Sequence, residues 1–286
     1  MEVYSSRVTA GLELKNEPRW SKKLERAPVP LLERPSSPLH APRTWTMKGM
    51  LKEALRSRGL VLKKLPIDNL EETLRQLFAA LRINCVIDAG AHFGEYGQRL
   101  REIGYTGRIV SFEPVRASYE RLCETAKGDP AWMCFNLALG SSSKDLEINV
   151  PGYSVFASFL GSTKYCNEQF GEESTAGIKE TVKVVTLDSL FSQAISGLNG
   201  PRVYLKLDTQ GYDLEVIKGA PVSMPSILGL QSEVSVKPIY EGMPNWIDAI
   251  GACKSLGYEV TGLYPVNRDK NMFVIEFDCV MHRTNI

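Results

Sequence analysis

The stretch Val86-Ile-Asp-Ala-Gly-Ala-His-Phe-Gly94 decides the fold. The apolar residues from Cys85, just before this stretch, to Ile87 are typical of a buried strand, and this strand ends in the acid Asp88. A glycine turn follows and leads into a helix predicted over 95–103. Ligands of open α/β sheets bind outside the carboxyl ends of the strands, so the turn predicts a ligand site.

A second acid strengthens that prediction. A strand predicted over 108–112 is followed by Glu113 and Pro114, and Glu113 comes 25 positions after Asp88. Two acids at such strand ends suit the cationic and hydroxyl groups of a nucleoside cofactor. The stretch therefore indicates more than a structural strand-turn-helix corner, which is the alternative for the turn alone.

The glycine spacing distinguishes between cofactors. A dinucleotide-binding turn needs G-x-G-x-x-G, because the middle glycine lets the backbone approach a pyrophosphate. Here Gly90 and Gly94 are present, but His92 takes the middle position. An imidazole would crowd a pyrophosphate, whereas S-adenosylmethionine, which joins adenosine to a sulfonium and an amino-acid tail, contains no phosphate. The turn therefore favours S-adenosylmethionine over a dinucleotide.

Composition excludes several classes of protein. The 286 residues include 34 basic and 33 acidic side chains, so bulk electrostatic attraction to nucleic acid is not expected. No apolar run approaches the roughly 18 residues of a membrane span, and the first residues do not resemble a signal peptide. The six cysteines are scattered without a C-x-x-C pair, which favours free thiols in a cytoplasmic protein and argues against bound zinc.

The amino-terminal part differs in composition from the rest. Residues 1–46 are rich in proline and charge and are predicted to be a flexible extension, while 47–286 form one domain with its core at about 68–283. Residues 48–64 are basic and partly amphipathic. They could contact a membrane surface or a partner, but a helix that covers the sheet is the favoured interpretation.

Strands and helices alternate through most of the chain. A helix with a capping box at Asp68 and Glu71 precedes the first strand. Further strands are predicted over 132–137, 145–150, 181–185, 203–208, 227–236, 258–263 and 272–281, with helices over 115–127, 189–195, 214–218 and 246–255. The pattern predicts a Rossmann-like α/β fold with about seven mostly parallel strands, an antiparallel C-terminal strand and helices on both faces.

The long connection 152–162 is either a lid or binding loop, or a surface excursion.

The motifs together resemble those of a known family. They are the opening stretch, Ser111-Phe-Glu-Pro, Asn136-Leu-Ala-Leu-Gly140, Val184-Val-Thr-Leu-Asp188 and Leu205-Lys-Leu-Asp-Thr-Gln-Gly-Tyr-Asp-Leu-Glu-Val-Ile-Lys-Gly219. In this order they resemble the FkbM family of class I S-adenosylmethionine-dependent methyltransferases. The resemblance implies O-methylation of a saccharide, glycan or secondary metabolite. The alternatives are an NAD-dependent oxidoreductase and a non-catalytic protein that keeps the fold for binding.

The resemblance also implies a set of cofactor-binding residues. Asp88 and Gly90 would line the amino-acid end of the cofactor, and Glu113 would accept both ribose hydroxyls. Asn136 and Ala138 would border the adenine, although Asn136 suits plain packing at a strand end equally well. His92 stands where the family more often has Asn, and a hydrogen bond that braces the loop is favoured over acid-base chemistry. The full set is Asp88, Gly90, Ala91, His92, Gly94, Glu113, Pro114, Asn136 and Ala138.

Two carboxylates are the candidate catalytic groups. A sugar or alkyl hydroxyl is weakly acidic, so methyl transfer to it benefits from a base. Asp208 at the end of its strand is the first candidate and Glu233 the second. The two could share a divalent cation, but no further ligand is evident and metal dependence is not favoured. The candidate acceptor-binding residues are Lys206, Gln210, Tyr212, Tyr240 and Glu241.

Overall fold

The computed structural model of this chain describes residues 69–284. Within them the chain forms ten β-strands and seven α-helices. The strands are β1 Cys85–Ala89, β2 Arg108–Phe112, β3 Trp132–Phe135, β4 Ala138–Leu139, β5 Lys144–Pro151, β6 Gly177–Val185, β7 Val203–Leu207, β8 Ile227–Ser235, β9 Tyr258–Arg268 and β10 Val274–Arg283. The helices are α1 Leu70–Leu81, α2 Glu95–Glu102, α3 Arg116–Ala126, α4 Lys164–Phe170, α5 Leu187–Ala194, α6 Asp213–Lys218 and α7 Trp246–Ser255. The predictions for 1–46 and 48–64 lie outside the described residues.

Seven strands form the main sheet, in the order β3-β2-β1-β7-β8-β10-β9. Every neighbouring pair from β3 to β8 is parallel, while β10 runs antiparallel to β8 and to β9. The predicted sheet with an antiparallel C-terminal strand is therefore confirmed. The strand order reverses between β1 and β7, which is where ligands bind in open α/β sheets.

Helices cover both faces of this sheet, as the sequence predicts. Successive side chains of β1 point to opposite faces, so Ile87 packs into one core and Val86 into the other. The first core includes α5, α6 and α7, and the second includes α1, α2 and α3. Burial on both faces explains the nearly continuous apolar sequence of β1 and β7.

A second sheet of three strands, β4-β6-β5, interrupts the alternation. The strands predicted over 145–150 and 181–185 are present as β5 and β6, but the sequence pattern does not reveal that they form a sheet of their own. Residues 152–162 connect β5 toward α4 and include a 3-10 turn at Ser154–Phe156. We call residues 152–162 the strap segment. A bridge between Ser162 and Tyr240 joins its end to the loop after β8.

Two local predictions need correction or extension. The side chain that caps α1 is Asn69, whose Oδ1 accepts from the N–H of Glu72 at 2.7 Å; the predicted cap, Asp68, lies outside the described residues. Strand β9 is longer than the predicted 258–263, because it pairs with β10 along most of its length, and β10 begins and ends two residues later than the predicted 272–281. Among residues 69–284, no helix is both long enough and apolar enough to cross a membrane.

Candidate active site

A cavity of about 420 Å³ opens at the carboxyl ends of the central strands. This volume is within the roughly 300–1,000 Å³ range of small-molecule sites. The predicted residues that line it are Gly90, Ala91, His92, Glu113, Pro114, Ala138, Lys206, Asp208, Gln210 and Glu233. Those that do not line it are Asp88, Gly94, Asn136, Tyr212, Tyr240 and Glu241. The structure thus brings most of the predicted set to one cavity.

The glycine turn after β1 has a tight backbone. Gly90 has φ +81°, and a Cβ atom there would lie 2.0 Å from the main-chain oxygen of Asp208. Glycine is therefore required because the ends of β1 and β7 approach each other closely. His92 also has positive φ, at +48°, which is uncommon for a residue with a side chain.

Side-chain hydrogen bonds of His92 brace the turn. Its Nε2 lies 2.8 Å from the hydroxyl oxygen of Ser154 in the strap segment, and its Nδ1 lies 3.1 Å from Oε1 of Glu95. The structure thus contains the loop-bracing hydrogen bond that the sequence favours. Because Ser154 also lines the cavity, the bond connects the turn to the segment across the opening.

Glu113 presents a buried carboxyl group to the cavity. Its Oε2 accepts from the N–H of His92 at 2.8 Å and its Oε1 from the N–H of Val115 at 2.9 Å. Burial raises the pKa of Glu113 to about 8, even though both backbone N–H groups favour the carboxylate. The two backbone hydrogen bonds fix the direction of the Glu113 side chain. Additional hydroxyl donors would stabilise its carboxylate form further.

Asn136 holds the turn that carries Glu113. Its Nδ2 donates to the main-chain oxygens of Glu113 at 3.0 Å and of Pro114 at 2.8 Å. The side chain lies outside the cavity lining, whereas neighbouring Ala138 is part of it. The contacts of Asn136 are thus those of a packing residue at a strand end.

Asp88 and Lys206 lie side by side at the floor of the cavity, where Lys206 is part of the lining and Asp88 is not. Asp88 is fully buried and accepts from the hydroxyl of Ser111 at 3.1 Å, while its Oδ1 lies 3.4 Å from Lys206 Nζ. Burial raises the pKa of Asp88, and the ammonium of Lys206 opposes this. Lys206 also donates to Asp208 Oδ2 at 3.0 Å and to the oxygen of Gly90 at 3.3 Å. Lys206 therefore joins the ends of β1 and β7 and does not extend outward to solvent.

Asp208 is partly accessible from the cavity, with 34% of its side chain exposed. Burial opposes its ionisation, but the ammonium of Lys206 outweighs this and lowers the pKa of Asp208 below its usual value. Burial raises the pKa of Glu233 well above normal, and the negative charge of Asp208 adds to the effect. The pKa values of these two neighbouring acids are therefore shifted in opposite directions, which favours the negative charge on Asp208 rather than on Glu233.

Strand β10 adds polar groups that the sequence interpretation did not include. Glu276 and Asp278 line the cavity next to Glu233, and Asn267 of β9 joins them. The register places Asp278 opposite Glu233, so residues on the same face of β10 reach the site. In the sequence, the sign of these site residues is that two acids stand at alternate positions of an otherwise apolar strand. The sequence does not show which strand pairs with it.

The three other predicted acceptor contacts lie away from the cavity lining. Tyr240 is buried and donates to Gln210 Oε1 at 2.7 Å. The ring of Tyr212 packs on Phe159 with centroids 4.9 Å apart. Glu241 is exposed and pairs through its main chain with Gly161. An acceptor role for these residues stays a prediction.

A metal site would need several acidic, imidazole or thiolate ligands close together. Within residues 69–284, no group of three or more His, Cys, Asp or Glu side chains is arranged to hold a metal ion. Near Asp208 the structure instead supplies the ammonium of Lys206 and the amide of Gln210.

The fold and the site together define a class of protein. An open α/β sheet with a glycine turn after β1 and a buried acid after β2 binds a nucleoside cofactor at its switch point. A family model described as the methyltransferase FkbM domain matches residues 88–260. The chain belongs to this family and is an S-adenosylmethionine-dependent methyltransferase.

Solved structures with similar folds are distant in sequence. Fibrillarin from Aeropyrum pernix, in complex with natively bound S-adenosyl-L-methionine, is 10% identical, with a TM-score of 0.38 over 80% of this chain and 73% of that one. Precorrin-6y C5,15-methyltransferase from Geobacter metallireducens is 12% identical, with a TM-score of 0.37 over 77% of this chain and 91% of that one. No curated protein sequence matches this chain significantly. These weak similarities say nothing about the acceptor.

Proposed function

We propose that this protein methylates a hydroxyl oxygen of a saccharide, glycan or secondary metabolite, with Asp208 as the base. The observation that carries the proposal is the position of the Asp208 carboxyl group, which follows β7, is open to the cavity and is held by Lys206. A weakly acidic hydroxyl needs such a group, and general-base catalysis contributes typically about 10²–10⁴-fold.

The cavity fits S-adenosylmethionine at the cofactor side. Glu113 is a buried acceptor whose raised pKa would fall if ribose hydroxyls donated to it. The main chain from Ala91 begins the turn into α2, and Leu137, Ala138 and Leu139 offer an apolar wall for the adenine. When bound, the cofactor supplies a methyl group on a positively charged sulfur. Orientation by these residues then leaves proton removal as the task of the acceptor side.

On the acceptor side, Asp208 would accept the proton of the acceptor hydroxyl as the O–H bond of that hydroxyl breaks. Protonated Glu233 and the polar groups of Asn267 and Asp278 would hydrogen-bond other hydroxyls of the same molecule. The ring of Phe156 in the strap segment adds an apolar surface. Hydrogen-bonding groups beside an aromatic ring suit a sugar, since a pyranose has polar edges and apolar faces.

The proposal extends to the setting of the protein. All six cysteines are free thiols, which suits a reducing compartment such as the cytoplasm. A small-molecule or glycan acceptor, without nucleic acid, fits the balanced charge of +1. Membership of the FkbM family favours methyl transfer over the NAD-dependent and non-catalytic alternatives.

A transfer assay tests the proposal. The protein would be incubated with methyl-labelled S-adenosylmethionine and panels of neutral sugars, amino sugars, oligosaccharides and hydroxylated natural products. We expect a labelled methyl ether, identified by mass spectrometry, and a loss of most turnover in Asp208→Asn. Labelling at nitrogen or carbon, or full turnover in the variant, would contradict it. Calorimetry with NAD as the competing ligand would detect an oxidoreductase.

A further inference from the structure

Gln210 occupies an unusual position in the turn after β7. Its φ is +51°, in the left-handed region, and the next residue, Gly211, has φ +87°. A residue with a side chain persists there only when its surroundings fix it, and such residues cluster at functional sites. Glycine or asparagine would fit this backbone conformation better. The presence of glutamine therefore indicates a role for its side chain.

The amide of Gln210 bridges the two candidate catalytic acids. Its Nε2 donates to Asp208 Oδ1 at 2.7 Å and to Glu233 Oε2 at 3.1 Å. An amide nitrogen has two protons, so each carboxyl receives one. Asp208 accepts from Lys206 on its other oxygen. Both oxygens of the proposed base are therefore held from defined directions.

Tyr240 fixes which way this amide points. Its hydroxyl donates to Gln210 Oε1 at 2.7 Å, and its side chain is only 1% exposed. Burial raises the pKa of Tyr240, so the group stays a neutral donor. A flipped amide would instead place its oxygen against the Asp208 carboxylate, where two acceptor oxygens repel each other. The nitrogen of Gln210 is thus directed at the carboxyl pair.

The strap segment holds the main chain of the same residue. The hydroxyl of Ser158 donates to the backbone oxygen of Gln210 at 2.7 Å, and Ser158 is 1% exposed. The Tyr240 hydroxyl also lies 3.2 Å from the oxygen of Phe156. Gln210 is therefore fixed at its backbone and at both ends of its amide.

We propose that Gln210 is a positioning residue that holds the carboxyl groups of Asp208 and Glu233 side by side and favours the negative charge on Asp208. The inference rests on the proposed role of Asp208 as the base. A donor shared between two acids stabilises the carboxylate most where its bond is shorter, and that bond is to Asp208. Without the amide, only Lys206 and the hydrogen bond with Glu233 would support the ionised form.

Other charged groups act on the same pair and set the direction of the effect. Those that face it are Lys206 from β7, Asp88 from β1, Asp213 from α6, Glu276 and Asp278 from β10, and the hydroxyl of Tyr240. The surrounding acids disfavour a second negative charge. Removal of the amide donor should therefore raise the pKa of Asp208.

Carbon-13 NMR titration of labelled Asp and Glu carboxyls in the full chain tests this without an acceptor. The Asp208 and Glu233 signals would be assigned with Asp208→Asn and Glu233→Gln. In Gln210→Gly, which suits the left-handed backbone but lacks the amide, we expect the Asp208 midpoint to rise by about one pH unit. Arg82→Gly is the matched control, since exposed Arg82 has φ +52° and lies at the end of α1.

A second variant keeps the test decisive if Gln210→Gly folds poorly. Tyr240→Phe removes only the hydroxyl that orients the amide, so a smaller rise in the Asp208 midpoint is expected. Calorimetry with S-adenosylmethionine runs in parallel, and all variants should bind it like the wild type. An Asp208 midpoint within 0.3 pH unit of wild type in the folded variants would overturn the proposal for Gln210. Failure of the wild type to bind S-adenosylmethionine would instead overturn the proposed function.

Discussion

The cofactor side and the acceptor side of the cavity are built in different ways. On the cofactor side, beside the turn after β1, one buried acid, Glu113, is held by two backbone N–H groups. On the acceptor side, side chains from β7, β8 and β10 meet around Asp208. The first arrangement is suited to binding and the second to moving a proton. Substitutions on the two sides should therefore have different effects.

The largest expected effect is on turnover in Asp208→Asn. Loss of the base should lower the rate of methyl transfer by about 10³-fold, within the range for general-base catalysis. Affinity for S-adenosylmethionine should stay within about threefold of wild type, because the cofactor side is unchanged. Single-turnover assays and calorimetry measure the two quantities. Equal losses of turnover and of affinity for S-adenosylmethionine would contradict the distinction between the cofactor side and the acceptor side.

Gly90→Ala should mainly reduce stability. Its new Cβ would lie 2.0 Å from the Asp208 oxygen, so we expect the free energy of unfolding to fall by about 3 kcal/mol. Gly104→Ala is the control, since Gly104 has φ +89° with no atom within 4 Å of an added Cβ. It should lose only about 1 kcal/mol, from backbone strain alone. Similar losses in urea denaturation would show that the close approach of β1 and β7 is not important.

Glu113→Gln should weaken cofactor binding. The amide would face one of the two backbone N–H groups with its own N–H, and it would be a weaker acceptor for hydroxyls. We expect an approximately 30-fold lower affinity for S-adenosylmethionine by calorimetry, equal to about 2 kcal/mol. Unchanged affinity would show that the cofactor does not contact this carboxyl.

A smaller effect concerns pH. Hydroxyl donors favour the carboxylate, so binding should lower the pKa of Glu113 from about 8 in the free protein. Affinity for S-adenosylmethionine should therefore fall as the pH drops below 8, by up to tenfold per unit, with proton release on binding. Calorimetry in buffers of different ionisation heats measures this. Glu113→Gln should abolish the dependence, and a flat wild-type profile between pH 6 and 8 would refute it.

The two sides also differ in how well the sequence predicts them. The turn after β1, Glu113 and Asp208 follow directly after apolar strands, so local sequence sufficed to predict that they line one cavity. Glu276 and Asp278 reach the cavity only because β10 pairs antiparallel with β8 in a particular register. Such long-range pairing leaves no local signal.

The same reasoning explains Tyr240 and the strap segment. Tyr240 follows a predicted strand and appeared suited to contact a ligand, but the loop after β8 turns its hydroxyl toward Gln210. The bond between His92 and Ser154 joins residues 62 positions apart. Side-chain pairs of this kind depend on the finished packing, so the sequence left a binding loop and a surface excursion both open for 152–162 and did not predict these contacts.

Parallel calorimetric titration of S-adenosylmethionine into Glu113→Gln and Asp208→Asn tests the division of the cavity most directly. We expect the affinity to fall about 30-fold in Glu113→Gln and to stay within about threefold of wild type in Asp208→Asn. Loss of affinity in Asp208→Asn, with wild-type affinity in Glu113→Gln, would contradict the assignment of the two sides.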